Sequence, residues 1–218
     1  MNSTETGTIT VDVVSDVMCP WCYIGKKNLE AARKLVGETK LEIRWHPFQL
    51  DPTLPAEGKD RRQYLADKFG GDVRARDIYA RVEQAGEAAG IDFAFERIKV
   101  SPNTLNAHRL IRWAGGQGPE VQDRVVDRLF QLYFEEGANI GDVEVLADAG
   151  ASAGMDRALL AELLASDADK EAVEQQIRNA QAMGVSGVPC FIFGRKYAVM
   201  GAQPSQKIAE AIIAAADS

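Results

Sequence analysis

Cysteine and histidine are scarce in this 218-residue chain, with three of the first and two of the second. So few cysteines exclude the disulfide-stapled scaffold of a small secreted domain. Basic runs are absent as well, and 25 Lys and Arg stand against 32 Asp and Glu, for a net charge of −7. Nucleic acid and anionic membrane surfaces are recognised by clustered cations, so neither is expected as a partner. Long apolar runs are also missing. The longest uncharged stretch lies between Arg178 and Arg195, broken by Gly184, Gly187 and Pro189. Nothing of that kind is expected to span about 30 Å of hydrocarbon. The segment Met1–Gly7 has neither a cationic start nor an apolar centre, so no secretory leader is read there and a cytoplasmic location is expected. Thiols in that compartment stay reduced, so paired cysteines there point to catalysis or metal binding before structure.

What is present is ordinary globular material, 46% hydrophobic and 26% charged, sufficient for a sizeable core. The texture changes twice along the chain. Ile9, Val11 and Val13 alternate with Thr10, Asp12 and Val14, as in a strand. A helix from Pro20 to about Val36 ends before Gly37. Leu41, Ile43 and Trp45 then alternate with Glu42, Arg44 and His46, which predicts an edge strand with one dry and one polar face. After the turn-forming Asp51-Pro52-Thr53-Leu54-Pro55 the period becomes helical. Helices are expected near 59–69, 72–89, 104–115, 119–135, 142–149, 156–165 and 168–183, the last closed by a glycine cap at Met183-Gly184-Val185. Strand character returns in Cys190–Phe193 and Lys196–Met200, joined by a turn at Gly194-Arg195. A helix from about Pro204 to Ala216 ends the chain. The order β-α-β, helical block, β-β-α predicts one α/β domain from residues 8–50 and 185–218, interrupted by a helical insertion at 51–184.

Chemistry concentrates at Cys19-Pro20-Trp21-Cys22, where a strand gives way to a helix. Proline suits the first helical position, so Cys19 is expected at the N-cap, facing free backbone N–H groups and the positive end of the helix dipole. That setting favours thiolate, the nucleophilic form. Cys22 lies almost one helical turn on, within reach of a disulfide. This spacing predicts an exposed attacking sulfur and a recessed resolving one. A lone CxxC can instead be half a zinc site. The remaining candidates, Cys190, His46, His108 and carboxylates, form no second CxxC or close histidine pair, so no metal is expected.

The run Ser15-Asp16-Val17-Met18-Cys19-Pro20-Trp21-Cys22-Tyr23-Ile24-Gly25 resembles the active-site segment of DsbA-like thioredoxin-fold oxidoreductases of the cytosolic FrnE type. Further similarities lie at Pro47-Phe48-Gln49-Leu50-Asp51-Pro52, Asn103-Thr104 with Ala107-His108-Arg109-Leu110, Gly187-Val188-Pro189 and Gly201-Ala202-Gln203-Pro204. The resemblance implies a thioredoxin-like fold split by a helical domain, and Pro189 as a cis-proline facing the cysteine pair. It also implies that the Val188 backbone receives an extended substrate, with Pro20 and Trp21 contributing contacts. Tyr23 is a further candidate for apolar contact beside Cys19. Cys190 departs from the pattern, and reads either as a small buried hydrophobe, which is favoured, or as a third redox thiol. Asp12 and Asp16 are candidate proton acceptors for Cys22, and Asp16 alternatively braces the turn. His108 either borders the groove or is structural, and His46 is read as supporting a turn.

The leading expectation is a disulfide oxidoreductase or isomerase of the DsbA-like kind, acting on protein or small-molecule disulfides through the Cys19–Cys22 pair, with disulfide-containing or thiol proteins as partners. It would have no bound cofactor, would use glutathione or another thiol as co-substrate, and would act as a monomer or homodimer. One alternative is a glutathione-dependent isomerase or transferase of the kappa or 2-hydroxychromene-2-carboxylate isomerase type. Those enzymes carry serine where Cys19 stands, which weighs against that reading. Another alternative is a chaperone-like, redox-sensing binding module.

Overall fold

Alternation in the first strand generates the centre of the structure. In the computed structural model, which describes residues 8–217, β1 (Ile9–Ser15) buries Val11 and Val13 completely. Met1–Gly7, on which the absence of a leader was read, lies outside the described residues, as does Ser218. Strand β1 pairs in parallel with β2 (Leu41–Pro47) and antiparallel with β5 (Cys190–Phe193), which pairs antiparallel with β6 (Tyr197–Met200). The order β2-β1-β5-β6 leaves β2 at an edge, as its sequence predicts. Helix α1 (Pro20–Leu35) makes the crossover and packs beside α9 (Ser205–Ala216). Their face of the sheet carries Val11, Val13, Phe191 and Phe193, which are cross-strand partners. Val14, expected on the polar side, is buried on the opposite face with Phe48, Ala180, Val185 and Cys190.

Seven α-helices fill the insertion among the described residues: α2 (Arg61–Phe69), α3 (Asp72–Ala88), α4 (Leu105–Gly116), α5 (Pro119–Phe134), α6 (Val143–Ser152), α7 (Arg157–Ala165) and α8 (Lys170–Ala182). Their bounds lie within a few residues of the expectation. Helix α8 ends as predicted: Gly184 has φ +92°, its N–H donates to Gln181, and the Val185 N–H donates to Ala180. A two-stranded ribbon of β3 (Lys59–Asp60) and β4 (Val100–Ser101) was not anticipated. Two residues per strand are too few to show an alternation. The whole is a thioredoxin-like α/β fold with a large helical insertion.

The two parts share one apolar cluster. Tyr23 lies inside it, 1% exposed, stacked on Phe130 at 5.0 Å, with its hydroxyl donating to Glu135. The expected contact beside Cys19 is therefore not its role: its helical phase turns it toward α5. One turn on, buried Lys26 reaches Asp127 at 3.0 Å and also pairs with Glu30. The free edge of β2 is closed by a side chain, because Gln122 of α5 accepts from Trp45 N–H (2.9 Å) and donates to its carbonyl (3.0 Å). That contact satisfies an edge which would otherwise invite pairing with another chain.

Candidate active site

Cys19 occupies the N-cap of α1 in extended conformation (φ −92°, ψ 113°), and Pro20 opens the helix. The preceding turn is built around Asp16, which is completely buried. Its Oδ2 accepts the Leu50 N–H at 2.8 Å, its Oδ1 accepts the Met18 N–H at 3.4 Å, and its backbone carbonyl accepts the Cys19 N–H at 3.0 Å. One carboxylate thereby ties the approach to Cys19 to the segment after β2. The neighbouring Phe48 N–H donates to Ser15, while Gln49 donates to Asn103, which in turn donates to Leu54. Sequence segments 15–25, 47–52 and 103–110, far apart in the chain, meet around this turn.

His108 lies behind it, 2% exposed, with Nε2 at 3.4 Å from Asp16 Oδ1. This histidine is packed inside the fold and faces the carboxylate that braces the turn. His46 lies within β2, not after it, and its Nε2 is 2.8 Å from Asp12 Oδ1. That contact engages the other candidate acid.

Both site cysteines are free thiols and both are buried, Cys19 at 4% and Cys22 at 1% exposure. The expected exposure of Cys19 is corrected by the loop that covers it: its Sγ lies 3.9 Å from the Val188 carbonyl oxygen. The Val188–Pro189 peptide bond is cis. The Pro189 carbonyl accepts the Gly201 N–H at 2.8 Å, and Asn28 of α1 holds the Gln203 carbonyl at 3.0 Å. These bonds bring Gly201–Pro204 against the same site. Gly25 makes the approach possible, since a Cβ there would stand 2.9 Å from the Pro189 ring. Trp21, between the two cysteines in sequence, and Leu50, whose N–H is held by Asp16, remain exposed at 40% and 37%.

Burial, followed by the adjacent Cys19 sulfur, holds the Cys22 thiol well above the ordinary cysteine range. The Ser15 hydroxyl and the Asp16 backbone oppose this shift and are outweighed. Cys22 therefore keeps its proton at neutral pH and stays a poor nucleophile until Cys19 has reacted. A brief exposure of reduced protein to iodoacetamide at pH 7.5 should label Cys19 well before Cys22, with Cys22 labelling rising as the pH is raised. Peptide mass mapping checks the order, and equal labelling would contradict it.

Cys190 pairs across the sheet with Val14 and Met200, so its side chain lies on the face away from α1. Burial alone raises its pKa. This placement fits the small buried hydrophobe rather than a third redox thiol. Among the described residues no three His, Cys, Asp or Glu side chains are grouped to hold a metal ion. No helix there is long and apolar enough to cross a membrane.

Ser15, Asn103 and Gln49 carry parts of this arrangement that spacing alone did not reveal. Their only sequence signal is that they lie in segments 15–25, 47–52 and 103–110, which carry the family resemblance. Residues 10–213 match the DsbA-like thioredoxin domain family. The chain belongs to that family. Among DsbA-like structures it is similar to the probable DsbA oxidoreductase SCO1869 of Streptomyces coelicolor, 27% identical, with 95% of this chain and 89% of the other covered and a TM-score of 0.86. A 2-hydroxychromene-2-carboxylate isomerase shares the fold at 18% identity, TM-score 0.70 and 94% coverage of each chain. So does the cytosolic disulfide reductase DsbM of Pseudomonas aeruginosa, solved with GSH, at 17% identity, TM-score 0.63 and coverage of 95% and 96%. As a DsbA-like protein the chain falls in a family of disulfide oxidoreductases.

Proposed function

We propose that this protein exchanges disulfides with polypeptide or small-molecule substrates through Cys19 and Cys22. The observation that carries the reading is the asymmetry of the pair. Cys19 caps a helix beside the Val188 carbonyl, while Cys22 is held protonated beneath it. In the reducing direction, Cys19 thiolate attacks one sulfur of a substrate disulfide. The second substrate sulfur leaves as thiolate and takes a proton from water. Cys22 then attacks the Cys19 sulfur, its proton passing to the first substrate sulfur, which leaves as thiol, and the Cys19–Cys22 disulfide remains. Two equivalents of a thiol such as glutathione return the pair to dithiol and become a disulfide themselves. The reverse sequence oxidises a substrate dithiol.

In this reading the Val188 and Pro189 backbone and exposed Trp21 form the substrate rim, Pro20 being buried where it opens α1, and Asp16 with His108 positions the turn. Residues 8–50 and 185–218 are the redox domain, and 51–184 its inserted helical partner. A cytoplasmic setting and glutathione as reductant are supported by the fold shared with DsbM, whose structure contains GSH. Reduction of a fluorescent peptide disulfide with glutathione as reductant tests the reading. Wild type should turn over substrate, and the protein with both Cys19 and Cys22 replaced by serine should not. Equal rates would reject it. The isomerase fold favours a second reading, glutathione-dependent isomerisation without disulfide exchange. That activity would survive Cys19→Ser, whereas disulfide exchange would not.

A further inference from the structure

The inward face of β1 ends on a polar side chain. Val11 and Val13 turn toward α1 and α9, and by the same alternation Ser15 continues their row. Ser15 is 4% exposed, and its Oγ is enclosed without a hydrogen-bond partner among the described residues of the dithiol protein. Such a hydroxyl costs the fold free energy that an apolar residue at the end of the row would not. The group it faces at the start of α1 is Cys22, itself almost wholly buried. Burial raises the Cys22 thiol, and the Ser15 hydroxyl, close beside the sulfur, works against that rise.

A second donor comes from the backbone. The peptide unit between Ser15 and Asp16 is fixed from one side, where its carbonyl accepts the Phe48 N–H at 3.0 Å. That peptide is trans, so its N–H points opposite to its carbonyl. The Asp16 N–H is thereby turned away from the segment after β2, and it too donates toward the Cys22 sulfur. The Asp16 carboxylate is occupied with other work, because its oxygens hold the Met18 and Leu50 N–H groups.

We propose that the Ser15 hydroxyl and the Asp16 N–H form a two-donor pocket for the Cys22 sulfur while it carries negative charge. The inference rests on the disulfide-exchange reading and assigns Ser15 a part in its second step. Cys22 gains charge twice in a cycle. As it resolves the adduct, its S–S bond to Cys19 forms while its proton passes to the departing substrate sulfur. As a thiol reopens the pair, the thiol sulfur bonds to Cys19 and the Cys19–Cys22 bond breaks. The electron pair of that bond stays on Cys22, which then takes the proton the thiol gave up. Water scarcely reaches this sulfur, so the charge is met by donors built into the protein. The hydroxyl has no partner at rest and gains one in the charged state, so it speeds the step without stabilising the resting thiol.

Acid-quenched mixing of the reduced full chain with a peptide disulfide, read by intact mass, separates the two steps. Ser15→Ala should form the Cys19–peptide adduct at the wild-type rate and resolve it at least about tenfold more slowly, the scale of one hydrogen bond to a charged group. In the same variant the pH at which Cys22 becomes alkylated should rise by about one unit, with Cys19 labelling unchanged. Ser15→Thr keeps the hydroxyl and should resolve the adduct faster than Ser15→Ala. Urea unfolding should place Ser15→Ala no lower than wild type, because the group it removes has no partner at rest. The proposal is overturned by wild-type resolution in Ser15→Ala, by an unmoved Cys22 labelling profile, or by a variant that fails to fold. No adduct even in wild type would overturn the exchange reading, and the proposal with it.

Discussion

Cys22→Ser should accumulate a stable mixed disulfide between Cys19 and its substrate, while Cys19→Ser should form none. The difference follows from where the two sulfurs lie. Cys19 stands at the helix N-terminus under the Val188 carbonyl, the position from which it can attack. Cys22 is deeper and held protonated, so its contribution begins only once Cys19 is bonded to substrate. With serine at 22 the second attack has no nucleophile and the adduct persists. With serine at 19 turnover should fall by at least about a thousandfold, the scale of effect when a covalent nucleophile is removed. Non-reducing electrophoresis and intact mass measurement of Cys22→Ser under peptide-disulfide load read the outcome directly. No adduct at Cys19, or an adduct at Cys190, would refute the assignment. A peptide adduct and a glutathione adduct differ in mass, so the same experiment distinguishes the substrate class.

Arg109→Met should be strongly destabilising. Arg109 is completely buried on α4, one residue beyond His108. Its Nε donates to the Ala168 carbonyl at 2.6 Å, and its Nη2 donates to Leu163 at 2.6 Å and Ser166 at 2.9 Å. Its Nη1 adds Asn106 and Leu164. One guanidinium thus closes the end of α7 and the loop into α8. Methionine fills much of the volume but leaves these carbonyls without donors. Unmaking several charge-assisted bonds at a buried site costs about 3–5 kcal/mol. For a chain of this size that lowers Tm by roughly 10 °C. Lysine should rescue only part of this loss, because an ammonium cannot match the planar fork. Urea unfolding of the three proteins checks the order, and a Met variant within about 1 kcal/mol of wild type would contradict the argument, since that is no more than one ordinary hydrogen bond.

Much of the site was legible in the sequence because its decisive parts are local. Proline after Cys19 and the apolar period beyond it were enough to predict a helix whose N-cap is that cysteine. The alternation in 9–13 and 41–45 marked two strands, and the insertion helices were read within a few residues of their bounds. The exposure of Cys19 was misjudged because the covering carbonyl comes from a loop 169 positions away. Tyr23 was misplaced for a related reason: the rings that hold it belong to α5 and the insertion. For Asp16 the sequence left base and brace both open, and only the fold brings Leu50 and His108 to its carboxylate.

The division follows the range over which each interaction acts. Periodicity, helix capping and turn chemistry depend on neighbours within a few residues, so the sequence by itself determined the strand-helix junction, the spacing of the thiols and the α/β order around a helical block. Burial and electrostatics depend on what the chain brings back from far away. Tertiary structure alone decided that Cys22 would be held protonated, that Cys190 would face away from α1, that Gln122 would close the edge of β2, and that Arg61 would be buried among Tyr79, Phe95 and Tyr133. The scarcity of cysteine likewise acquires its meaning in space: two thiols meet at the end of one helix, and the third packs in a different apolar cluster, on the sheet face away from α1.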